Sequence, residues 1–587
     1  MASVRLLDGD FQRSEEVNSK YLDSLQVDRL LHSFRLTSGL NSSATPYGGW
    51  ELPTIELRGH FAGGHYLSAV AFASAGSGNT DLRNKGNQLV AGLAACQKAN
   101  GNGYLSAYPT ELFERLAKGG KVWAPFYTYH KIMAGLVDMY LQTGNEEALS
   151  VAEGMAGWAS NYFSGISDDQ RQRILREEYG GMNEVLVNLY GVTGKEKYLA
   201  TARLFEQPSI LDPLAERRDE LRGLHANTNV PKIIGAARMY EETGDPRYRH
   251  IAEYFLGEVL SARSYAIGNT SDDEHWRTPA GDLSGTLSLK NAECCVAYNL
   301  MKLDRHVFAW TGDARWMDAY ERTLFNARLG TQDDGGLKQY FFPMAAGYWR
   351  AYGSAENSFW CCTGTGAEDF AKFTDTIYFH KAGDVYVNQF IASTLNWKEQ
   401  DFTLRQETRF PAEQQTQLTV QTGRPQERSI AIRIPSWIGD GGKITLNGKP
   451  IEVFAEPGSY LTIKRTWRDG DKVVVSLPMT LREEPLPGDQ RTIAATYGPL
   501  VMAADLGSGP TTGPTKIITG RGTAPTDVGK PAPLPVAQAS SSPTGWLKPA
   551  SGQPLHFTAG EAGGSELQVV PMYKIRDQKY SIYWSRT

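Results

Sequence analysis

Four Thr-Gly pairs constrain this chain more than any other feature: Thr143-Gly144, Thr193-Gly194, Thr243-Gly244 and Thr311-Gly312. Each closes an apolar stretch of helical spacing and is followed at once by polar residues. Glycine adopts the left-handed conformation that ends a helix, and the polar residues after it suit a new helix start. The glycines lie 50, 50 and 68 residues apart, and Gly78, ahead of Asn79-Thr80-Asp81, precedes Gly144 by 66 as a degenerate earlier copy. A period near 50 residues is that of a helical hairpin. Apolar residues recur at helical spacing in Tyr66–Ala73, Leu89–Cys96, Ile132–Leu141, Val185–Tyr190, Ile233–Tyr240 and Val296–Trp310, and Glu368–Phe379 continues the pattern as the end of a sixth unit. Five or six hairpins predict either an open solenoid or a closed (α/α)6 barrel. The unequal spacing favours the barrel, because long insertions after some helices build a site at one end. The plain alternative is a helical scaffold for protein binding.

After about residue 382 the pattern changes to short alternating strands: Val385–Val387, Phe402–Leu404, Gln417–Val420, Ile430–Ile434, Ile444–Leu446, Tyr460–Ile463 and Val473–Leu477. Asn447-Gly448 is a hairpin signal. Such a run predicts a β-sandwich. A second β segment follows from Thr492–Leu506, interrupted by a Pro-, Gly-, Ser- and Thr-rich excursion over Gly507–Pro554, and strand character returns in Leu567–Trp584. The expected fold class is therefore multidomain α and β, an (α/α)6 barrel catalytic domain followed by β-sandwich domains. The expected divisions are 1–20, a strand segment joining a β-sandwich; 21–381, the barrel; 382–490, a β-sandwich; and 491–587, a second β-sandwich segment.

A length of 587 residues supports several domains, and a net charge of −5 argues against a broad nucleic-acid-binding face. No apolar run reaches the roughly 18 residues of a membrane span. Met1–Arg5 lacks the apolar core of a signal peptide, which leaves the location open between cytoplasmic and, if a signal has been removed, periplasmic or secreted.

Five cysteines are too few for a disulfide scaffold, yet four form two adjacent pairs, Cys294-Cys295 and Cys361-Cys362. Adjacent cysteines seldom bond each other. With Glu293 they supply one carboxylate and two or three thiolates, a plausible tetrahedral zinc set if the two clusters converge. Both lie near expected helix starts, where helix dipoles favour thiolates. The bland alternative is buried apolar cysteine, and Cys96, in an apolar helix stripe, is read that way. Glu274, in Asp272-Asp273-Glu274-His275-Trp276, reads on spacing alone as a solvated acid. His60 and His65 flank a Gly-rich turn, His130 follows the aromatic run Trp123–Tyr129, and His225 lies in Gly223–Asn227. Histidines beside aromatic rings suit sugar binding, or equally a satisfied core or capping role.

Glu293-Cys294-Cys295 with the helix after it resembles the Glu-x-Cys helix of glycoside hydrolase families 127 and 146, the β-L-arabinofuranosidase group. Phe359-Trp360-Cys361-Cys362-Thr363-Gly364-Thr365-Gly366 is similar to their Cys-Cys motif. Gly59–Ala69, Tyr127–Lys131, Tyr179–Glu184, His225–Asn227 and Pro571–Trp584 extend the resemblance over nearly the whole chain. It implies a retaining exo-glycosidase that releases terminal β-L-arabinofuranosides from plant-type glycans. Zinc would be held by Glu293, Cys295, Cys361 and Cys362, with Cys361 as nucleophile and Glu274 as acid/base. His130, His225, Tyr340 and His65 would bind substrate. Where the family has a small polar residue this chain has Cys294; neighbours on a helix point about 100° apart, so only one of the pair joins Glu293, and Cys295 matches the motif. To act as an acid, Glu274 needs a pKa above roughly 4.3, most simply through burial. As partners the resemblance implies an L-arabinofuranose-containing glycan, no nucleic acid and no membrane, and it allows a homodimer. The rival readings are the same fold and mechanism on a related sugar, and a non-catalytic carbohydrate-binding protein with structural zinc.

Overall fold

The computed structural model describes residues 1–509, 529–538, 544–560 and 566–586. Six helices face inward: α1 (Tyr66–Ser77), α2 (Pro125–Thr143), α3 (Met182–Thr193), α4 (Ala226–Thr243), α5 (Cys294–Thr311) and α6 (Cys361–Asp369). Each packs on the next, and α6 packs back on α1, so the ring closes. Outer helices lie behind five of them: Thr80–Asn100, Glu146–Phe163, Glu196–Arg203, Pro246–Ala262 and Ala314–Thr323. Inner helices are covered on nearly all sides, and α1 buries ten of its twelve residues.

The Thr-Gly pairs do what their chemistry allows. Gly144, Gly194, Gly244 and Gly312 cap α2 to α5 with φ of 74°, 66°, 71° and 65°, each N–H returning to the carbonyl four residues back. Three of the next outer helices start one residue later on an Asn or Asp cap, Asn145, Asp245 or Asp313. One expectation differs. The helix expected to run through Glu368–Phe379 ends at Asp369, and Tyr378–Lys381 is already a strand. Phe370, Phe373 and Ile377 are still buried, so the spacing reported burial in a turn-rich segment.

The strand Val4–Leu6 pairs antiparallel with Ser393–Trp397 and so joins the edge of a seven-stranded sheet that continues through Phe402–Thr408, Gln415–Thr422, Lys472–Ser476, Lys443–Leu446 and Lys449–Pro450. Asn447 and Gly448, with φ of 51° and 77°, turn its last hairpin. A four-stranded sheet runs Ser459–Trp467, Gln426–Ile434, Asp384–Val387, Tyr378–Lys381. Alternate residues of the two, among them Leu404, Leu418, Val473 and Ile430, are buried in one core. A further nine-stranded sheet centres on Asp489–Tyr497 and Leu500–Ser508. Of the expected excursion over Gly507–Pro554, residues 510–528 and 539–543 lie outside the described residues.

The β region braces the helical ring. Arg433 is buried between Asp318 and Glu321 of the outer helix behind α5, and Trp437 Nε1 donates to Glu321 at 2.7 Å. Tyr580 Oη donates to Pro343 O at 2.7 Å and Arg350 to Met572 O at 2.8 Å, holding the segment that carries Tyr340. No described helix is long and apolar enough to cross a membrane.

Candidate active site

The two cysteine pairs converge at one end of the ring, where α5 and α6 begin. Glu293 is the N-cap residue of α5 and Trp360 that of α6, and neither side chain caps its helix, so the positive ends of both helices face the cluster. Glu293, Cys295, Cys361 and Cys362 are all buried, with one ligand atom each within 4.8 Å of the others. Cys361 Sγ and Cys362 Sγ each lie 3.8 Å from Glu293 Oε1, and Cys295 Sγ is 3.1 Å from Cys362 Sγ. All five cysteines are free thiols. A tetrahedral zinc with sulfur and oxygen ligands has donor–donor edges of about 3.6–3.8 Å. The two sulfur–oxygen edges match, and the sulfur pair is tighter than that. Glu293 Oε2 is a buried oxygen with no protein partner. This donor set can hold a metal ion.

Cys294 points elsewhere. Its thiol, pushed up to about 11 by burial, faces Arg328 and Arg350 and takes no part in the cluster. Arg328 donates to Cys294 O at 2.9 Å and pairs with Asp369 of α6, so one buried guanidinium ties the two cysteine helices together.

Four acidic groups so close cannot all ionise unaided. Burial alone raises the Cys361 thiol, but hydrogen bonding with Cys295, Cys362 and Tyr340 overturns this and holds it well below the usual thiol range. Burial and the neighbouring Cys361 raise Glu293, Cys295 and Cys362.

Glu274 stands beside this cluster. Tyr340 Oη donates to Glu274 Oε1 at 2.7 Å and lies 3.4 Å from Cys361 Sγ, so a single hydroxyl bridges carboxylate and thiol. On the other side, His225 Nε2 lies 3.3 Å from Glu274 Oε2. His225 is also the N-cap residue of α4: its Nδ1 accepts from the Thr228 amide at 2.9 Å, which leaves the ring proton on Nε2, facing Glu274. Burial pulls His225 down, and Glu274 with Glu178 more than reverses this, so its proton affinity rises. The capping bond opposes a second proton and decides the tautomer. The expectation that burial lifts Glu274 is only half met. Burial does raise it, but His225 and Tyr340 outweigh burial and leave it below the ordinary glutamate value.

His65 and His130 form the opposite wall. His65 Nδ1 bonds Glu368, its ring lies against Gly364 of α6, and its Nε2 has no protein partner. Burial and Lys131 lower its pKa. His130 is backed by Gly180 and Gly181, where a Cβ would come within 2.5 Å and 3.0 Å of the ring nitrogens, and its Nδ1 is likewise unpartnered. Two further residues, to which the sequence assigned no site role, border the cluster, although Tyr127 lies in the Tyr127–Lys131 motif. Tyr127 Oη is buried without a protein partner and feels the charge of Cys361. Glu178, raised by burial, faces His225, Cys361 and Glu274, and lies one residue before the Tyr179–Glu184 motif. Left-handed backbone at non-glycine residues gathers here too: Ala124 (φ 46°), Asp273 (46°), Glu274 (68°), Ala292 (49°) and Phe359 (47°). Such conformations cost about 1–3 kcal/mol each and persist where the surroundings enforce them.

The ring of helices closes with thiols and carboxylates gathered at one end, and comparison with known proteins makes the chain a glycoside hydrolase. The family description "Beta-L-arabinofuranosidase, GH127 catalytic domain" matches residues 3–375, and its "GH127 middle domain" matches residues 384–479. The chain belongs to this GH127 β-L-arabinofuranosidase family. A non-reducing end β-L-arabinofuranosidase of Bifidobacterium longum subsp. longum is 23% identical over 510 residues, covering 75% of this chain and 74% of that protein. Two solved structures share the fold over the whole chain. One is a GH127 β-L-arabinofuranosidase from Geobacillus stearothermophilus T6, with a TM-score of 0.72, 18% identity and 100% of that chain covered. The other is a GH127 β-arabinofuranosidase, with a TM-score of 0.71, 19% identity and 97% of that chain covered.

Proposed function

We propose that the chain is a retaining exo-glycosidase that removes non-reducing-end β-L-arabinofuranose from plant-type glycans, with Cys361 as nucleophile and Glu274 as acid/base. The observation that carries this is the Tyr340 hydroxyl bridging Glu274 and Cys361, because it sets a thiol and a carboxyl group at one locus. Glu293, Cys295, Cys361 and Cys362 fit zinc by donor type and spacing. When bound, zinc keeps the thiols deprotonated and tempers the basicity of sulfur.

In the first step Cys361 Sγ bonds to the anomeric carbon as the glycosidic C–O bond breaks. The electron pair goes to the leaving oxygen, which takes a proton from Glu274. In the second, Glu274 takes a proton from water, the water oxygen bonds to the anomeric carbon, and the C–S electron pair returns to Cys361. Retention follows from two displacements, as it does with a carboxylate nucleophile. Tyr340 Oη and His225 Nε2, at 2.7 and 3.3 Å, hold the Glu274 carboxyl in place for this exchange. Tyr127, His65 and His130, buried at this end of the ring, would supply polar groups to the sugar.

The test is turnover of an aryl β-L-arabinofuranoside beside an aryl furanoside and pyranoside panel. Cys361→Ser should lose roughly 10³-fold or more while keeping its unfolding midpoint. A sugar-mimicking electrophile should add its mass to the Cys361 peptide. Near-normal activity in the variant would refute the nucleophile, preference for another sugar would refute the substrate, and no turnover with an inert thiol would leave a binding protein.

A further inference from the structure

The cysteine cluster stands where two parts of the molecule meet. Its donors come from the helical ring, yet Cys295, Cys361 and Tyr340 share their apolar cluster with Val501, Ala503 and Tyr583 of the C-terminal nine-stranded sheet. The strands of that sheet run from Leu481 to Arg586, beyond residue 479, where the matched middle domain ends. Cys361 and Glu274 both precede the sheet in the chain.

The sheet grips residues 343–350, the arm just after Tyr340. Tyr580 N–H donates to Tyr348 O and Gly347 N–H to Tyr580 O, both at 2.9 Å. Tyr580 Oη donates to Pro343 O at 2.7 Å. Arg350 completes the grip from the other side. Its guanidinium, 2% exposed, donates through Nη2 to Met572 O and through Nη1 to Gln339 Oε1, both at 2.8 Å. Gln339 Nε2 in turn donates to Phe341 O at 2.6 Å, so the Gln339 side chain bridges across Tyr340. The Tyr340 carbonyl accepts from Cys294 N–H at 2.9 Å, at the start of α5. Met572, Arg350 and Gln339 thus form one hydrogen-bonded line that ends at Tyr340, whose hydroxyl lies between Glu274 and Cys361.

Among the described residues no carboxylate pairs with Arg350, and burial lowers its pKa. A buried cation without a counter-ion is a costly way to fill space, and an apolar side chain would fill it better. What the planar guanidinium adds is a rigid fork that fixes two oxygens relative to each other. One oxygen belongs to the C-terminal region and the other stands beside Tyr340. The bridging hydroxyl tolerates little drift, because a misplacement of about 1 Å at a reacting centre can cost about 10²-fold in rate. We infer that Arg350 is a positioning residue for the Tyr340 hydroxyl, and that through it the C-terminal sheet is part of the active site without supplying a reacting group. This rests on the hydrolase reading proposed for Cys361 and Glu274.

A double-mutant cycle over Arg350→Met and Tyr340→Phe in the whole, zinc-loaded chain tests it. The readouts are kcat and KM on an aryl β-L-arabinofuranoside, and the rate at which iodoacetamide labels Cys361. Arg350→Met should lower kcat by about 10- to 100-fold and leave KM within about two-fold. With Tyr340 already replaced by Phe, the same substitution should change kcat by less than about two-fold. Arg350→Lys, which keeps a buried donor, should recover part of the loss. An unchanged kcat in Arg350→Met, or a loss as large without the Tyr340 hydroxyl as with it, overturns the assignment. Should thermal unfolding show that Arg350→Met does not fold, Tyr580→Phe removes the bond to Pro343 O, keeps the Tyr580–Tyr348 pairing, and enters the same cycle under the same criteria. If the wild type turns over no β-L-arabinofuranoside, the hydrolase reading fails and the labelling cycle still decides. A Cys361 labelling rate that Arg350→Met shifts only when the Tyr340 hydroxyl is present supports the assignment; a rate left alone, or shifted equally in both backgrounds, overturns it.

Discussion

Glu274→Gln separates the acid from its surroundings, because the replacement is nearly isosteric and its contacts are known. The amide oxygen it introduces would still accept from Tyr340 Oη, now 2.7 Å from the carboxylate. The new NH₂ group would then face His225 Nε2–H, since His225 Nδ1 is committed to the Thr228 amide. One hydrogen bond to a charged acceptor is lost, at about 1.5–3 kcal/mol, and the site is partly open, with His225 and Glu274 side chains 26% and 16% exposed, so the stability cost falls at or below the low end of that range. The catalytic cost is larger. General acid catalysis contributes about 10²–10⁴-fold, or roughly 3–5 kcal/mol of barrier, wherever the leaving oxygen is a poor one. The assay is kcat/KM over aryl β-L-arabinofuranosides of graded leaving-group pKa, with a disaccharide at the demanding end. The variant should approach the wild type on the most activated aryl group and fall by about two to four powers of ten on the disaccharide, so that its dependence on leaving-group pKa steepens. A uniform loss across the series would refute Glu274 as the acid, whatever its size.

Three further outcomes follow from the geometry. Cys295→Ala should abolish metal binding measured by elemental analysis, whereas Cys294→Ala should keep the metal and lose about 1 kcal/mol of stability through a small cavity; the opposite pattern would exchange their roles. Gly364→Ala would place a Cβ 2.1 Å from His65 Cδ2, so it should cost about 1–3 kcal/mol and lower kcat/KM by displacing His65; an unchanged melting temperature with unchanged activity would contradict that packing. Glu241 accepts from His306 and Trp310 across α4 and α5 at 2.8 and 2.9 Å, and although burial raises it, His306 and Arg238 hold it at about 2. A depressed carboxylate stabilises the fold above its unfolded value near 4.5, and that contribution is lost as pH falls towards 2. Glu241→Gln should therefore destabilise the protein by up to about 3 kcal/mol at pH 7 in urea unfolding, and the two curves should converge near pH 2; a constant gap would refute the assignment.

Much of the helical ring was legible because helix ends depend on local chemistry. Gly144 must be left-handed and Asn145 must cap whatever the rest of the chain does, so the Thr-Gly pairs marked the hairpins directly. Scarcity made the cysteine pairs legible as chemistry, but their convergence depends on α6 closing against α1 and α5, which no local signal reports. Glu274 was legible only through the family resemblance, for a different reason. It has φ 68° in an irregular loop, outside any period, and gains its partners from residues 49 and 66 positions away. Glu178 shares that fate, its surroundings being assembled from three distant segments. The Glu368–Phe379 stretch shows the converse error, in which apolar spacing survived in a segment whose backbone is not helical.

The antiparallel pairing of Val4–Leu6 with Ser393–Trp397 has a consequence for how the chain matures on the ribosome. The strand Val4–Leu6 has its partner about 390 positions downstream. At about 5–20 residues per second, the wait is roughly 20–80 s. The hairpins of the ring have time to fold one after another in the interval, while an unpaired strand edge stays open to wrong partners throughout. Translation speed through the segment up to residue 397 thus sets how long the nascent chain is exposed, and slowing it should raise aggregation before it affects any property of the finished enzyme.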